Sequence, residues 1–144
     1  MATLTSTGAV NLTASTNWSP SQIPTTGDDL VVAGHTLTLN ADITLASLTL
    51  SNASSRVAYS GGPRTITITG GVLVSGILSA TAITLTTGQT LTFIVGTGFR
   101  FTAAQTVSLF TVATGTLNLY GSGSSPDSDL INATTAVSAR LFAT

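Results

Sequence analysis

The sequence predicts an all-β protein, a short-strand β-solenoid or β-helix-like domain, with a β-sandwich or jelly roll as the alternative. Three observations carry this prediction. Apolar and polar residues alternate with a period of two, Gly, Asn and Asp signals separate the runs, and only 6% of the residues are charged. An ordinary domain has about 25% charged residues. Because amphipathic helices need a strongly polar face, the composition disfavours long helices.

The alternation places Leu, Ile or Phe on one face of each strand and mostly Thr on the other. The first clear run is 35–39, and similar runs continue to 117–120. Thr and β-branched apolar residues suit a half-buried pleated surface. The pattern therefore predicts an inward-facing core formed by Leu37, Leu39, Leu48, Leu50, Ile66, Ile68, Ile83, Leu85, Leu91, Phe93, Leu117 and Leu119.

Turn residues divide these runs at short intervals. Gly provides positive φ, and Asn and Asp bond back to the turn backbone. Each Pro lies between the alternating runs, as expected for strands that need their N–H groups. Loosely repeated units such as 34–38, 88–92 and 104–108 favour a solenoid, although the strands follow no fixed period.

The ends of the chain differ from its middle. We expect an N-terminal arm at 1–16, a β domain at 17–120, and a linker with a C-terminal docking segment at 121–144. The linker prediction rests on the Gly- and Ser-rich stretch at 121–129. The residues predicted to contact other chains are Trp18, Leu130, Ile131, Arg140, Leu141 and Phe142.

Composition disfavours several partners. The net charge is −1, and the four Arg residues are scattered, which argues against nucleic-acid binding. The chain has no Cys and no apolar run long enough for a membrane helix. The sequence begins without a recognisable secretory signal, so we expect synthesis in the cytoplasm.

The ionisable residues form no motif for catalysis, cofactor binding or metal binding, so we expect a protein that is not an enzyme. Asp28 follows Gly27 and is predicted to cap a turn rather than pair catalytically with Asp29. His35 is predicted to lie on the surface. The loop from Arg56 to Arg64, which contains Tyr59, is either a recognition loop or an ordinary solvated loop.

Thr-x-Thr pairs recur in the chain, and they leave an ice-binding surface open as a further alternative. A flat array of such pairs on stacked strands is typical of β-helical ice-binding proteins. Outward-facing Thr on ordinary strands explains the same residues by propensity alone. The pairs are Thr36/Thr38, Thr65/Thr67, Thr84/Thr86 and Thr90/Thr92.

One stretch resembles a known group of proteins. It contains Trp-x-Pro at 18–20, Pro-x-x-Gly-Asp at 24–28, an apolar strand and then a Thr-rich strand ending near Leu50. This arrangement resembles the opening coils of β-solenoid structural proteins of phage virions, and more weakly those of phage spikes and bacterial adhesins. Within the first group, the chain looks most like a capsid decoration, or cement, protein.

The resemblance implies a structural protein on the capsid surface of a virion, with the major capsid protein as its partner. It also implies a homo-oligomer, most often a trimer. The alternative function is a glycan-binding module of a tail spike or adhesin, reading sugars through Trp18, Tyr59 or Tyr120. No cofactor, nucleic acid or membrane is expected.

Overall fold

A computed structural model defines the architecture of the chain. Side chains are described within residues 1–80 and at 82, 83, 99, 100 and 102. The structure describes residues 1–80, 82–85, 90–95, 98–102, 110–112, 116–121 and 131–133.

The described residues form 16 β-strands and no helix, which confirms the all-β prediction. The strands are short because a turn signal follows each alternating run. They are β1 (Thr3–Ser6), β2 (Val10–Asn11), β3 (Trp18–Ser19), β4 (Asp29–Val32), β5 (Thr36–Leu39), β6 (Ile43–Leu45), β7 (Ser47–Leu50), β8 (Arg56–Tyr59), β9 (Arg64–Ile68), β10 (Gly71–Val74), β11 (Ile83–Leu85), β12 (Thr90–Val95), β13 (Gly98–Phe101), β14 (Phe110–Val112), β15 (Thr116–Gly121) and β16 (Ile131–Ala133).

These strands wind into a β-solenoid with three sheets. Sheet 1 has the order β16-β13-β10-β7-β4-β1-β3, sheet 2 the order β14-β11-β8-β5-β2, and sheet 3 the order β15-β12-β9-β6. From β4 onward, successive strands fall in sheets 1, 2 and 3 in turn, so a strand pairs in parallel with the strand three positions along the chain. In the first coil, β1 and β2 follow this rule, whereas β3 pairs antiparallel with β1 in sheet 1. The parallel pairing rules out the sandwich alternative, whose sheets are antiparallel.

The core is made of apolar columns that run along the solenoid axis. In sheet 1, Leu4, Leu30, Leu48, Val72 and Phe99 are register partners in consecutive coils, and each is at most 1% exposed. Equivalent columns line the other sheets. Burial of each coil's apolar face against its neighbours provides the main driving force for stacking.

The predicted core is confirmed wherever its side chains are described. The remaining predicted core residues, Leu85, Leu91, Phe93, Leu117 and Leu119, lie outside the described side chains. The confirmed residues are Leu37, Leu39, Leu48, Leu50, Ile66, Ile68 and Ile83.

Corners of unequal length explain why the sequence shows no fixed period. Sheet 1 strands begin at Asp29, Ser47, Gly71 and Gly98, so successive coils contain 18, 24 and 27 residues. The strands keep their register while the corners absorb the difference. At the tightest corners little space remains: a Cβ on Gly70 would lie 2.6 Å from the Ala46 carbonyl oxygen.

The N-terminal residues are part of the solenoid, which corrects the expected arm at 1–16. Strand β1 pairs with β4, and β2 pairs with β5. Leu4, Val10 and Leu12 join the core, so this segment gains its order from its own chain. Near the other end, β16 adds to β13 in sheet 1, and Gly121 ends β15.

We predict that Leu48→Ala lowers the free energy of unfolding by about 2–5 kcal/mol, the range for truncating a buried large side chain. Leu48 is 1% exposed within an apolar column, so the surrounding coils cannot fill the cavity easily. The matched control, Thr49→Ala, changes the next residue, which is only partly buried, and should cost far less. Equal losses in chemical denaturation would contradict the assigned register.

Candidate functional site

Trp18 is buried, which corrects the prediction that it contacts other chains. Its side chain is 3% exposed, and its indole Nε1 donates to the Asn11 carbonyl oxygen at 3.4 Å. From the sequence alone, Trp18 is predicted to contact other chains. In the structure the ring instead covers the end of the apolar core together with Leu12.

The other predicted interface residues belong to the C-terminal segment. Leu130, Arg140, Leu141 and Phe142 lie outside the described residues. Ile131 begins β16, where its register partner is Phe99 in β13. At least the three residues of β16 therefore continue the solenoid of their own chain.

Asp28 is the most deeply embedded charged residue in the described part. It is 1% exposed, and its carboxylate accepts hydrogen bonds from the amide of Ala2 at 2.7 Å and from the amide and hydroxyl of Thr25 at 2.9 Å. The Thr25 amide bond, with further support from Ala2, lowers the pKa of the Asp28 carboxyl although burial opposes this shift. Asp28 caps the turn, as predicted.

Three further charged side chains also bond to the solenoid itself. Asp29 accepts from the hydroxyl of Ser47 one coil further along. Asp42 accepts from the Thr65 amide at 3.0 Å. Arg56 donates to the carbonyl oxygens of Ala53 and Ser55 and to the Ser79 hydroxyl. These charged side chains therefore bond to backbone and hydroxyl groups at corners and strand ends, where backbone groups lack sheet partners.

The loop from Arg56 to Arg64 offers little for recognition. Tyr59 is half-buried against the core, and its hydroxyl donates to the Gly62 carbonyl oxygen. Arg64 reaches the Pro63 carbonyl oxygen at 3.4 Å, and its buried Nε has no hydrogen-bond partner among the described residues. His35 is partly buried at a corner, where its carbonyl oxygen accepts from the Arg56 amide.

A shallow groove of about 300 Å³ lies on the outer face of sheet 3. Strands β6 and β9 form its floor, and the turn before β4 forms one side. Its lining combines hydroxyl groups, one carboxylate and one apolar side chain, from Thr26, Asp42, Ile43, Thr44, Thr65 and Thr67. Hydroxyl and carboxylate oxygens can bind the hydroxyl groups of a neutral ligand.

Register extends this face beyond the groove. Thr65 pairs with Thr92, which pairs with Asn118, whereas Thr67 pairs with Ile94, which pairs with Tyr120. The groove could not be predicted from the sequence because β6 and β9 are separated in the chain by more than one corner. Thr44 and Thr67 are register partners, and their pairing can be predicted only if the length of the intervening coil is known.

The described residues contain no group of three or more His, Cys, Asp or Glu that could hold a metal ion. Within the same residues, no helix is present that could cross a membrane. Comparison with protein-family models, with curated proteins and with solved structures finds no match to this chain.

We predict that acid destabilises the wild type through Asp28. Because its pKa is lower in the folded chain than in the unfolded chain, its contribution is fully present above the unfolded value, near 3.9, and is lost as the pH falls through the folded value. Asp28→Asn should remove this part of the pH dependence and cost about 1–3 kcal/mol near neutral pH, because the amide cannot accept all three bonds.

Chemical denaturation between pH 2 and 7 measures this effect. The matched control is Asp29→Asn, since Asp29 is the adjacent residue and its carboxylate accepts a hydrogen bond from the Ser47 hydroxyl group. A wild type and an Asp28→Asn variant with parallel stability curves over this range would contradict the assigned role.

Proposed function

We propose that the protein is a structural component of a virion, a capsid decoration or cement protein that binds the major capsid protein on the outer capsid surface. One observation carries the proposal most: four of the described charged side chains, Asp28, Asp29, Asp42 and Arg56, bond to other groups of the same solenoid. A chain organised in this way is a scaffold whose faces remain nearly uncharged.

Such faces suit contact with a protein lattice. Interface cores are depleted of charged residues relative to the rest of a protein surface. The outward column of sheet 1 contains Thr5, Val31, Thr49 and Leu73 in register, each partly buried, before Arg100 interrupts it. A stack of parallel coils also holds such a column at constant strand spacing, which gives a regular surface.

The proposal includes a homotrimer and a C-terminal docking segment. Leu130, Leu141 and Phe142 carry enough apolar surface to dock, at about 1.5–3 kcal/mol for each side chain fully buried. Arg140 would lie at the rim of such a contact. The Gly- and Ser-rich composition of the stretch at 121–129 is typical of a linker, and a linker would let the docking segment reach a neighbour.

We predict that adding the purified protein to capsids that lack it gives ordered density on the outer surface and raises the temperature at which the capsids rupture. Binding to the assembled lattice but not to dissociated subunits produces this stabilisation by linkage. Electron microscopy and thermal rupture of the same particles measure both effects. Truncation after Gly121 is the informative variant.

Loss of capsid binding by the truncated chain, with the β-sheet circular dichroism retained, supports the docking segment. Loss of folding assigns that segment to closure of the last coil. Full-length protein that leaves capsids undecorated and equally heat-sensitive at micromolar concentration contradicts the proposed function.

A glycan-binding module is the second candidate, and the groove on sheet 3 favours it. The groove presents Asp42 and several Thr hydroxyl groups, and Tyr120 occupies the same register row two strands beyond Thr67. Its volume is at the lower end for small-molecule sites. Tyr59 and Trp18 do not support this candidate, since both pack against the core.

The ice-binding alternative receives less support from the register. Thr36/Thr38 belong to sheet 2, whereas Thr65/Thr67 belong to sheet 3. The next partner of Thr38 is Ala58, and that of Thr67 is Ile94. The pairs therefore do not continue as one array of Thr-x-Thr rows.

We predict for the glycan candidate that Thr67→Val weakens binding of a neutral oligosaccharide several-fold, because the substitution removes a hydroxyl group while preserving shape. Thr38→Val makes the same change on sheet 2, away from the groove, and should leave binding unchanged. Glycan-array screening identifies the oligosaccharide, and titration calorimetry then compares the variants. Equal affinities, or no binding on the array, would remove this candidate.

A further inference from the structure

At the end of the stack nearest residue 1, each of the three sheets has an edge, and each edge is covered in a different way. Exposed sheet edges are templates on which another strand can add. In sheet 1, β3 pairs antiparallel with β1, through Thr5 with Ser19 and Ser6 with Trp18. Beyond β1, the Thr7 amide donates to the Asn17 carbonyl oxygen at 2.8 Å.

The covering strand β3 is itself a poor template. It contains two residues, and Pro20 follows it directly. Pro has no N–H group to donate to an added strand. Its antiparallel direction also differs from that of every other strand pair in the described residues, so a parallel coil from a second copy meets the wrong hydrogen-bond pattern.

The edge of sheet 2 is covered by the segment after β2. The Asn11 carbonyl oxygen accepts from the Ala14 amide and from the Trp18 indole, both at 3.4 Å. Contacts with the next coil anchor this segment: the Leu12 amide donates to the side chain of Asn40, which follows β5, at 3.1 Å, and Asn40 donates in turn to the Thr13 hydroxyl at 2.7 Å. Leu12 and Trp18, at the two ends of residues 12–18, are both buried.

The edge of sheet 3 is covered by the turn at 25–28. The Gly27 amide donates to the Thr44 carbonyl oxygen of β6 at 3.0 Å, and the Ala46 amide donates to the Asp28 carbonyl oxygen at 2.9 Å. Gly27 has a φ of +86°, a conformation that favours Gly. The Asp28 carboxylate holds this turn in place through Thr25.

We propose that residues 12–28 form a blocking cap, which prevents a second copy of this chain from stacking end to end on the solenoid, so that copies associate through other surfaces. The inference does not depend on the capsid or glycan proposals. Three covers built from different contacts, a strand, a loop and a turn, therefore lie over the three sheet edges at this end, and the strand among them is too short to serve as a template.

The test replaces residues 12–20 with a Gly-Ser segment of equal length, which removes β3, Leu12 and Trp18 together. The expected result is retained β-sheet circular dichroism with a several-fold rise in mass by light scattering as concentration increases. Electron microscopy should show elongated particles. A folded variant that keeps the mass of the wild type at all concentrations would overturn the proposal.

A point variant decides the matter if the replaced chain does not fold. Trp18→Ala should weaken the cap and produce concentration-dependent association, whereas Leu48→Ala removes core volume in the middle of the stack and leaves the cap intact. The two are compared at temperatures that give equal folded fractions. If both variants associate equally, the association results from lost stability, and the proposed cap is overturned.

Discussion

Each strand in the middle of this solenoid forms its backbone hydrogen bonds with the coils before and after it, and the rest of the structure depends on that pairing. The Leu4, Leu30, Leu48, Val72 and Phe99 column exists only because consecutive coils stay in register. A slip by one residue would expose every member of the column and bury Thr in its place. The strand register and the buried core therefore depend on each other, and the strands keep both although the coil length varies.

At the corners, small hydroxyl side chains, with few charged ones, form the hydrogen bonds that keep consecutive coils in place. The Ser55 hydroxyl, which is fully buried, donates to the Val32 carbonyl oxygen and accepts from the amides of Gly34 and Asn52. Ser6 similarly accepts from the Ala33 amide at 2.8 Å. Small hydroxyl side chains fit at close approach and both donate and accept, so a chain rich in Ser and Thr can complete its corners with few ionisable groups.

Alternation predicted the described core and most of the strands between residues 35 and 120, because those features depend on a period of two along single strands. Loosely repeated units, rather than alternation, favoured the solenoid over the sandwich. Alternation failed at residues 1–16, where it is short and the following segment bonds back to the chain: the Trp18 indole donates to the Asn11 carbonyl oxygen, and the Asn17 side-chain amide donates to the Ala9 carbonyl oxygen. It also failed at Trp18, whose burial depends on the antiparallel pairing of β3. The groove on sheet 3 could be predicted only if the coil length were known, and corners of different size make that length irregular in the sequence.

Covered edges and nearly uncharged faces have a joint consequence for how this protein associates. Parallel stacks are prone to extension at their ends, and the cap at 12–28 opposes extension at one of them. The lateral faces carry no comparable protection in the described part: the column of Thr5, Val31, Thr49 and Leu73 is uncharged and only partly buried. Lateral contact therefore has a lower desolvation cost than contact through charged surfaces. This difference favours a module that lies side by side with its neighbours, and it is compatible with a scaffold on a lattice.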